Sequence, residues 1–570
     1  MTPTENSAAP AADAARAAGR RLRRSLGASA GLLAAAVALG AGELVAGLVG
    51  PQSSPVVAVG NAAVALTPEW LKEDAIREFG TADKQALIGG VLVVLGLYAL
   101  VVGLVALRSR ALGTAGVAVL GVLGCVAAGT RPAGGVLDGL PSVVGALAGI
   151  VALLALVAAV PPAAAGSPAT TAAGRPEAVG TDVHEGEEDR SAGRDPTLVD
   201  RLRAALGSGD RTTLDRRRFF LTSGIAVGVA VVAGGGGRLL QRRFDVADER
   251  AALTLPRPSS PAPALPPGAD LAAGVPGLTP LVTRSRDFYR VDTAIALPQI
   301  RPSDYRLQLT GLFGRPRAFS VDDLYRRDDL IERDITLTCV SNPVGGTLAG
   351  TARWLGVPLG AFLRENGVRP GSTQLICRSR DGMTIGAPTR AALGTPDAML
   401  AIGMNGAPLP VAHGFPVRMV IPGLYGYVSA CKWLTVIEAT TFDAYDAYWV
   451  ERGYAAQAPI KIESRIDTPT SVRSFPAGRR AIAGVAWAQG RGIARVEVEV
   501  DDRGWVAAEL SPQGTPDIWR QWVLPFDFSP GVHQLTVRAT STDGETQTDR
   551  RADGFPDGAS GWHSIQVSAV

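Results

Sequence analysis

The sequence predicts a chain in three parts: an α-helical transmembrane region, an α+β domain, and an all-β sandwich. Three observations carry this. Residues 29–160 contain four apolar runs, each near the roughly 20 residues needed to cross a bilayer. Residues 277–456 read as short β-type runs separated by Gly/Pro turns, with a few short helices. Residues 457–570 alternate apolar and polar positions, as in ARVEVEVDDRGWVAAEL and HQLTVRATSTDG, the period expected of half-buried strands.

The bulk properties agree. The chain has 570 residues, room for several domains. Its mean hydropathy of +0.17 is high for a soluble protein. A net charge of only +3 gives no reason to expect a nucleic-acid partner. The four cysteines, Cys125, Cys339, Cys377 and Cys431, show neither CxxC nor metal-finger spacing. Cys377 and Cys431 are expected to be a reduced, buried pair, with a disulfide as the alternative. The four histidines, His184, His413, His533 and His563, lie outside every apolar run. An intramembrane haem needs paired histidines, so none is expected.

The membrane-spanning runs are Ser29–Val49, Leu87–Leu107, Ala111–Gly129, Leu140–Val160 and, shorter, Phe219–Gly236. Arginine placement orients them. Arg16, Arg20, Arg21, Arg23 and Arg24 hold residues 1–28 in the cytoplasm, and Arg108 with Arg110 returns there. The acidic loop Glu69–Asp83 then lies outside. Five crossings leave the chain after Arg238 on the outer face of the cell membrane. Glu43 is the one acid of the first run. It is either functional, the default for an intramembrane ionisable group, or sits near the outer end of a tilted helix. Residues 161–215 read as a disordered cytoplasmic linker. In residues 216–237, the order Arg216-Arg217-Arg218-Phe219-Phe220-Leu221 before a Gly-rich apolar run resembles a twin-arginine export signal. Residues 238–276 are Pro/Ala-rich and read as an extended tether.

The chemistry concentrates in the middle part. ITLTCVSNPVGGTLAG, Ile335–Gly350, puts Cys339 at the end of an apolar β-type run and before a Gly-rich turn. A lone thiolate there is a good soft ligand for one metal position. VAHGFPVRMVIPG, Val411–Gly423, puts His413 and Arg418 around Gly and Pro, a loop able to hold a phosphate by charge-assisted bonds. Candidate strands are Arg306–Thr310, Asp334–Cys339, Gln374–Arg378, Pro416–Ile421 and Leu434–Ala439.

These residues resemble the sulfite oxidase family of molybdopterin enzymes. The resemblance extends to Asp287–Thr293, to ARWLGVPL at Ala352–Leu359 as the start of the next helix, to Met404–Gly423, to Tyr425–Leu434 and to Tyr448–Tyr454. It implies an α+β sulfite-oxidase-type domain holding a molybdenum-molybdopterin cofactor. Cys339 would be the single protein ligand to molybdenum. An isolated buried Cys is more often a small core residue; the surrounding motif argues for the ligand. His413, Arg418, Ser429 and Lys432 would clasp the pterin and its phosphate, with Tyr289, Arg290, Asp292 and Thr293 in the first pterin segment. Ser341 and Asn342 would donate to the cofactor beside the metal, and Tyr454 would sit beside substrate. The last part resembles the family's immunoglobulin-like dimerisation domain and implies a homodimer, although the membrane anchor leaves a monomer open.

Departures from the family bear on substrate. Sulfite oxidases carry Arg soon after the metal cysteine; here Val340-Ser341-Asn342-Pro343-Val344 is uncharged. Their Arg-Asn-His segment reads Val291-Asp292-Thr293. A site short of cations binds a dianion poorly, so a small neutral oxo compound such as a sulfoxide is favoured over sulfite. The alternatives are a sulfite dehydrogenase or a cofactor-free cell-envelope interaction protein. No haem or iron–sulfur motif is present in the sequence, so electrons are expected to pass to or from another protein or a quinone-linked carrier.

Overall fold

The computed structural model describes residues 8–68, 83–131, 134–161 and 211–570. The sequence-predicted acidic loop and cytoplasmic linker lie almost wholly outside the described residues. The chain divides into two compact units: Met1–Gly60, Leu87–Gly129 and Gly135–Arg243 form one, and Asn61–Ala86, Thr130–Gly134 and Phe244–Val570 the other.

Among the described residues five helices are long and apolar enough to cross a membrane: Ala17–Val49, Lys84–Ala106, Arg110–Gly129, Val136–Ala158 and Arg217–Ala252. A further apolar helix, Pro55–Leu66, is shorter than a span and was not expected from the sequence. Within the first unit small residues let helices approach closely, the usual packing device where water supplies no hydrophobic drive. A Cβ on Gly31 would lie 1.9 Å from the Ala99 carbonyl oxygen, and one on Gly103 would lie 2.1 Å from that of Gly27. Gly31→Leu is therefore expected to unfold this unit at lower temperature in detergent. Gly89→Leu, at a position open to space, should melt like wild type. The Glu43 carboxylate accepts from Ser54 Oγ and, at 2.8 Å, from Gln241 Nε2. Both its oxygens are thus used to tie segments of the first unit together.

The α+β part of the second unit contains β1 (Leu307–Gly311), β2 (Ala318–Phe319), β3 (Ile331–Thr338), β4 (Ala349–Pro358), β5 (Gln374–Ser379), β6 (Thr384–Pro388), β7 (Met399–Met404), β8 (Ala407–Pro408), β9 (Arg418–Val420) and β10 (Leu434–Thr440). One sheet runs β2-β1-β10-β5-β6; the other runs β3-β4-β7-β8 with β9 on β7. Most of Ala352–Leu359 is strand, and the helix begins only at Leu359. The β4 run is apolar on both faces because both are buried, so it lacks the alternation that marks a half-exposed strand.

The C-terminal part contains β11 (Glu463–Thr468), β12 (Gly478–Trp487), β13 (Ile493–Val500), β14 (Trp505–Ala507), β15 (Glu509–Leu510), β16 (Arg520–Phe528), β17 (Gly531–Ser541) and β18 (His563–Ala569). They form two four-stranded antiparallel sheets, β11-β12-β16-β15 and β14-β13-β17-β18. Ile482, Trp522 and Phe528 of the first share a core with Val496, Val498, Leu535 and Val567 of the second.

The Pro-rich segment corrects the expectation of a free tether. Val246 is buried against Ile335 and Trp354 in one core. Ser260 pairs with Ile331 at the edge of β3, and Leu271 N–H donates to Gln521 Oε1 at 2.5 Å. Proline lacks only its own N–H. The intervening residues keep theirs, and here they bond along the α+β and C-terminal sheets.

Candidate active site

β3 ends where Cys339 begins the loop. Ile335 and Leu337 face an apolar core with Trp354. The alternate residue Thr336 shares its hydroxyl with Thr351 at 2.5 Å and accepts from Trp519 N–H at 2.8 Å. Both faces of the strand are thus covered, and its end is rigid. Cys339 itself is only partly buried. Burial pushes its thiol above the ordinary value, opposed by hydrogen bonds from the Ser341 N–H and hydroxyl, the Lys432 charge and the Val340 N–H. Donors to sulfur and a nearby cation both favour a thiolate once a metal is bound. Among the described residues no group of three or more His, Cys, Asp or Glu could hold a metal. A dithiolene cofactor would supply further sulfur ligands to a metal on Cys339.

Gly414 brings the second group together. Its backbone is left-handed, φ 108°, and a Cβ there would lie 3.0–3.1 Å from Arg418 and Lys432. His413 is buried; its Nε2–H donates to Ser285 O at 2.9 Å and its ring meets Phe288 edge-on. Burial, and then the Arg418 charge, bring its pKa down to about 4, so it is neutral at physiological pH. Arg418 is buried over the Trp354 ring and donates to the His413 and Ala430 carbonyls. Its Nε has no hydrogen-bond partner, and no carboxylate pairs with it among the described residues. Burial lowers it to about 10, still charged.

Asp292 is the hub of the next cluster. Its carboxylate accepts from Lys432 Nζ at 2.5 Å, from Arg290 Nε at 2.8 Å, and from Lys84 Nζ. Burial opposes ionisation, but Lys432, the Arg290 bonds and Lys84 hold it well below the carboxylate range. Lys432 falls to about 8, chiefly by burial. Three cations share this carboxylate, and Arg418, within electrostatic reach of Lys432, adds a fourth positive charge. That excess, with an orphaned buried guanidinium N–H, fits a phosphate-bearing anion. Tyr289 is partly buried, stacked on Phe288, and within electrostatic reach of Cys339 and Arg418. Thr293 is partly buried next to Asp292.

Three predicted cofactor contacts make hydrogen bonds within the protein. The Ser341 donors serve Cys339. Asn342 gives its amide to Glu463 at 2.9 Å, while its oxygen accepts from Leu348 N–H at 2.8 Å. The Ser429 hydroxyl caps the Leu424 and Tyr425 carbonyls. Tyr454 is buried among the rings of Tyr427, Trp449 and Phe555, in one cluster with Val340. Cys377 and Cys431 are free and buried, and the Cys377 thiol meets the Met419 sulfur.

The sequence reading missed Lys84, Glu463 and Arg465. The last two lie on β11, and Glu463 is buried beside the cysteine loop. Burial raises its pKa to about 8, opposed by the Asn342 bond. Its folded pKa thus exceeds its unfolded one. The stability it contributes is complete below about pH 4.5 and is lost as pH rises toward 8. Denaturation of wild type between these values should show that decline, and Glu463→Gln should flatten it.

Comparison with known proteins follows this geometry. Residues 294–449 match the oxidoreductase molybdopterin binding domain. The chain is 29% identical to sulfite oxidase of Gallus gallus over 303 residues, 45% of this chain and 66% of that one. Residues 294–449 are thus a molybdopterin oxidoreductase domain, similar to that of the sulfite oxidases. It is 28% identical to mitochondrial sulfite oxidase of Homo sapiens, covering 44% of this chain and 54% of the relative. It is 26% identical to nitrate reductase [NADH] 1 of Arabidopsis thaliana, covering 45% of this chain and 35% of the relative. The chain therefore spans two thirds or less of the length of these relatives. Among solved structures it is similar to the sulfane dehydrogenase SoxCD of Paracoccus pantotrophus, at TM-score 0.45 and 22% identity, over 51% of this chain and 83% of that one.

Proposed function

We propose that this is a membrane-anchored oxidoreductase whose second unit faces outward and performs two-electron oxygen-atom transfer on a small neutral oxo compound such as a sulfoxide. The observation that carries the reading is a partly accessible Cys339, its sulfur held by N–H and O–H donors, in one site with a buried excess of cations. When bound, molybdenum-molybdopterin supplies the two-electron and oxo-transfer chemistry. Cys339 would ligate it. Arg418, Lys432, Arg290 and Lys84 would hold its phosphate, and neutral His413 would present its ring beside Phe288. Tyr454 and its aromatic neighbours would exclude water on the substrate side.

The uncharged run Val340–Val344 argues for a neutral substrate. A sulfite dehydrogenase is the second reading, favoured by the sulfite oxidase relatives. Turnover of the cofactor-loaded full chain separates them. Reduction of aryl or methionine sulfoxides with an artificial donor supports the first. Sulfite oxidation with no sulfoxide turnover establishes the second and removes the first. Electrons in either case would come from or go to a separate carrier. The C-terminal sheets would serve as the immunoglobulin-like pairing surface of a homodimer, which light scattering in detergent would reveal.

Export follows the same logic. A cofactor inserted in the cytoplasm requires a folded crossing, and Arg216-Arg217 opens the signal that such crossings use. Changing both to Lys is expected to leave residues 244–570 inaccessible to protease added outside intact cells. Unchanged cleavage would remove the twin-arginine route.

A further inference from the structure

The loop carrying Cys339 is fastened from outside its own domain. Cys339 N–H donates to Leu348 O at 2.9 Å, closing the base of the loop, and Asn342 N–H donates to Cys339 O at 3.0 Å. The Asn342 side chain then spans the loop to Leu348 N–H. What fixes that side chain is Glu463 Oε2 at 2.9 Å, from the first strand of the C-terminal sheets. Two residues along β11, on the same face of the strand, Arg465 Nη1 donates to Gly346 O at 2.8 Å. Arg465 is in turn held by Asp467 at 2.6 Å and Thr279 Oγ1 at 3.0 Å. The His563 ring fills the space beside Gly345, where a Cβ would come within 2.1 Å. Asn342, Glu463 and Arg465 are all buried, so water cannot replace these bonds.

We propose that Glu463 and Arg465 are positioning residues for the Cys339 sulfur, so that the C-terminal sheets set the ligand geometry of the metal centre. The proposal rests on Cys339 being the metal ligand. Groups outside the ligand shell orient ligands and tune the metal, and losing one commonly costs roughly 10–100-fold in affinity or activity. A two-point clasp acting through Asn342 and the Gly346 carbonyl reaches the sulfur without touching it.

The test uses the full chain in detergent, prepared with and without cofactor. Variants are Glu463→Ala, Glu463→Gln, Glu463→Asp and Arg465→Met. On cofactor-free protein the readout is the rate of Cys339 alkylation by iodoacetamide, followed on its own peptide by mass spectrometry. On loaded protein it is the Mo(V) paramagnetic resonance signal, with kcat and KM measured separately. Glu463→Ala, Glu463→Asp and Arg465→Met are expected to alkylate about tenfold faster or more, to shift the Mo(V) signal, and to lose kcat with KM retained. Glu463→Gln keeps an acceptor for Asn342 and should match wild type. If Glu463→Ala does not fold, Glu463→Asp, which withdraws the carboxylate by one methylene, decides. Alkylation rates and Mo(V) signals equal to wild type in both Glu463→Asp and Arg465→Met overturn the proposal. Absence of molybdenum from wild type overturns the ligand reading alone, because the alkylation rates still report the clasp.

Discussion

Replacing Cys339 by serine is expected to abolish turnover and to change the visible absorption of the loaded full chain, because the sulfur–metal bond is lost while the cofactor keeps its phosphate contacts. Activity should fall beyond the roughly 10–100-fold typical of changes outside the ligand shell. The reason lies in the donor set. Cys339 would be the protein's sulfur ligand, so its loss changes the metal's coordination while the Arg418 and Lys432 contacts to the cofactor remain. Serine is close in size, and Cys339 is only partly buried. The variant should therefore melt within a few degrees of wild type. Turnover, visible absorption and a thermal melt on the same preparation check this. A loaded Cys339→Ser chain with wild-type turnover and wild-type absorption contradicts the assignment.

Asp292→Ala should produce the largest loss of stability, and the loss should depend on cofactor. Its carboxylate is the shared partner of Lys432, Arg290 and Lys84. Removing one partner of a buried charge pair costs about 3–5 kcal/mol. Lys84 and Arg290 keep some contact with solvent, at 18% and 30% side-chain exposure, so about 3 kcal/mol is expected for the cofactor-free chain. In loaded protein a phosphate supplies the missing negative charge, and the loss should be much smaller. Melting of wild type and variant, each with and without cofactor, measures the difference. An equal loss in both states would mean that the cation cluster does not face the phosphate.

The local motifs were legible because their chemistry is local. The β3 run ending at Cys339, and the Gly414 turn between His413 and Arg418, are each written in a few consecutive residues. The apolar runs were equally plain, since length and composition alone define a helix able to cross a bilayer. Pattern failed where burial removes pattern. β4 is covered on both faces, so it shows no alternation to set against the resemblance that placed a helix start at Ala352–Leu359. Composition failed for the Pro-rich segment, whose bonding partners lie near Leu330 and Gln521.

The engagement of the site residues was hidden for a different reason. Ser341, Asn342 and Ser429 look like free polar groups in sequence, and only the fold shows that Cys339, Glu463 and nearby carbonyls already engage them. Asp292 was read as one contact among several, and the structure makes it the counter-charge of three cations. Lys84 meets it from 208 positions away in sequence, and Glu463 meets Asn342 from 121 away.

By itself, then, the order of residues pointed to the family resemblance, a candidate soft ligand, a candidate phosphate-holding loop and the membrane-length helices, since each depends on residue type at short spacing. Tertiary structure alone decided which charges share a site, which polar groups are already engaged, and that a strand from the C-terminal sheets holds the cysteine loop. Charge balance and hydrogen-bond satisfaction are properties of neighbours in space, and distance along the chain does not report them.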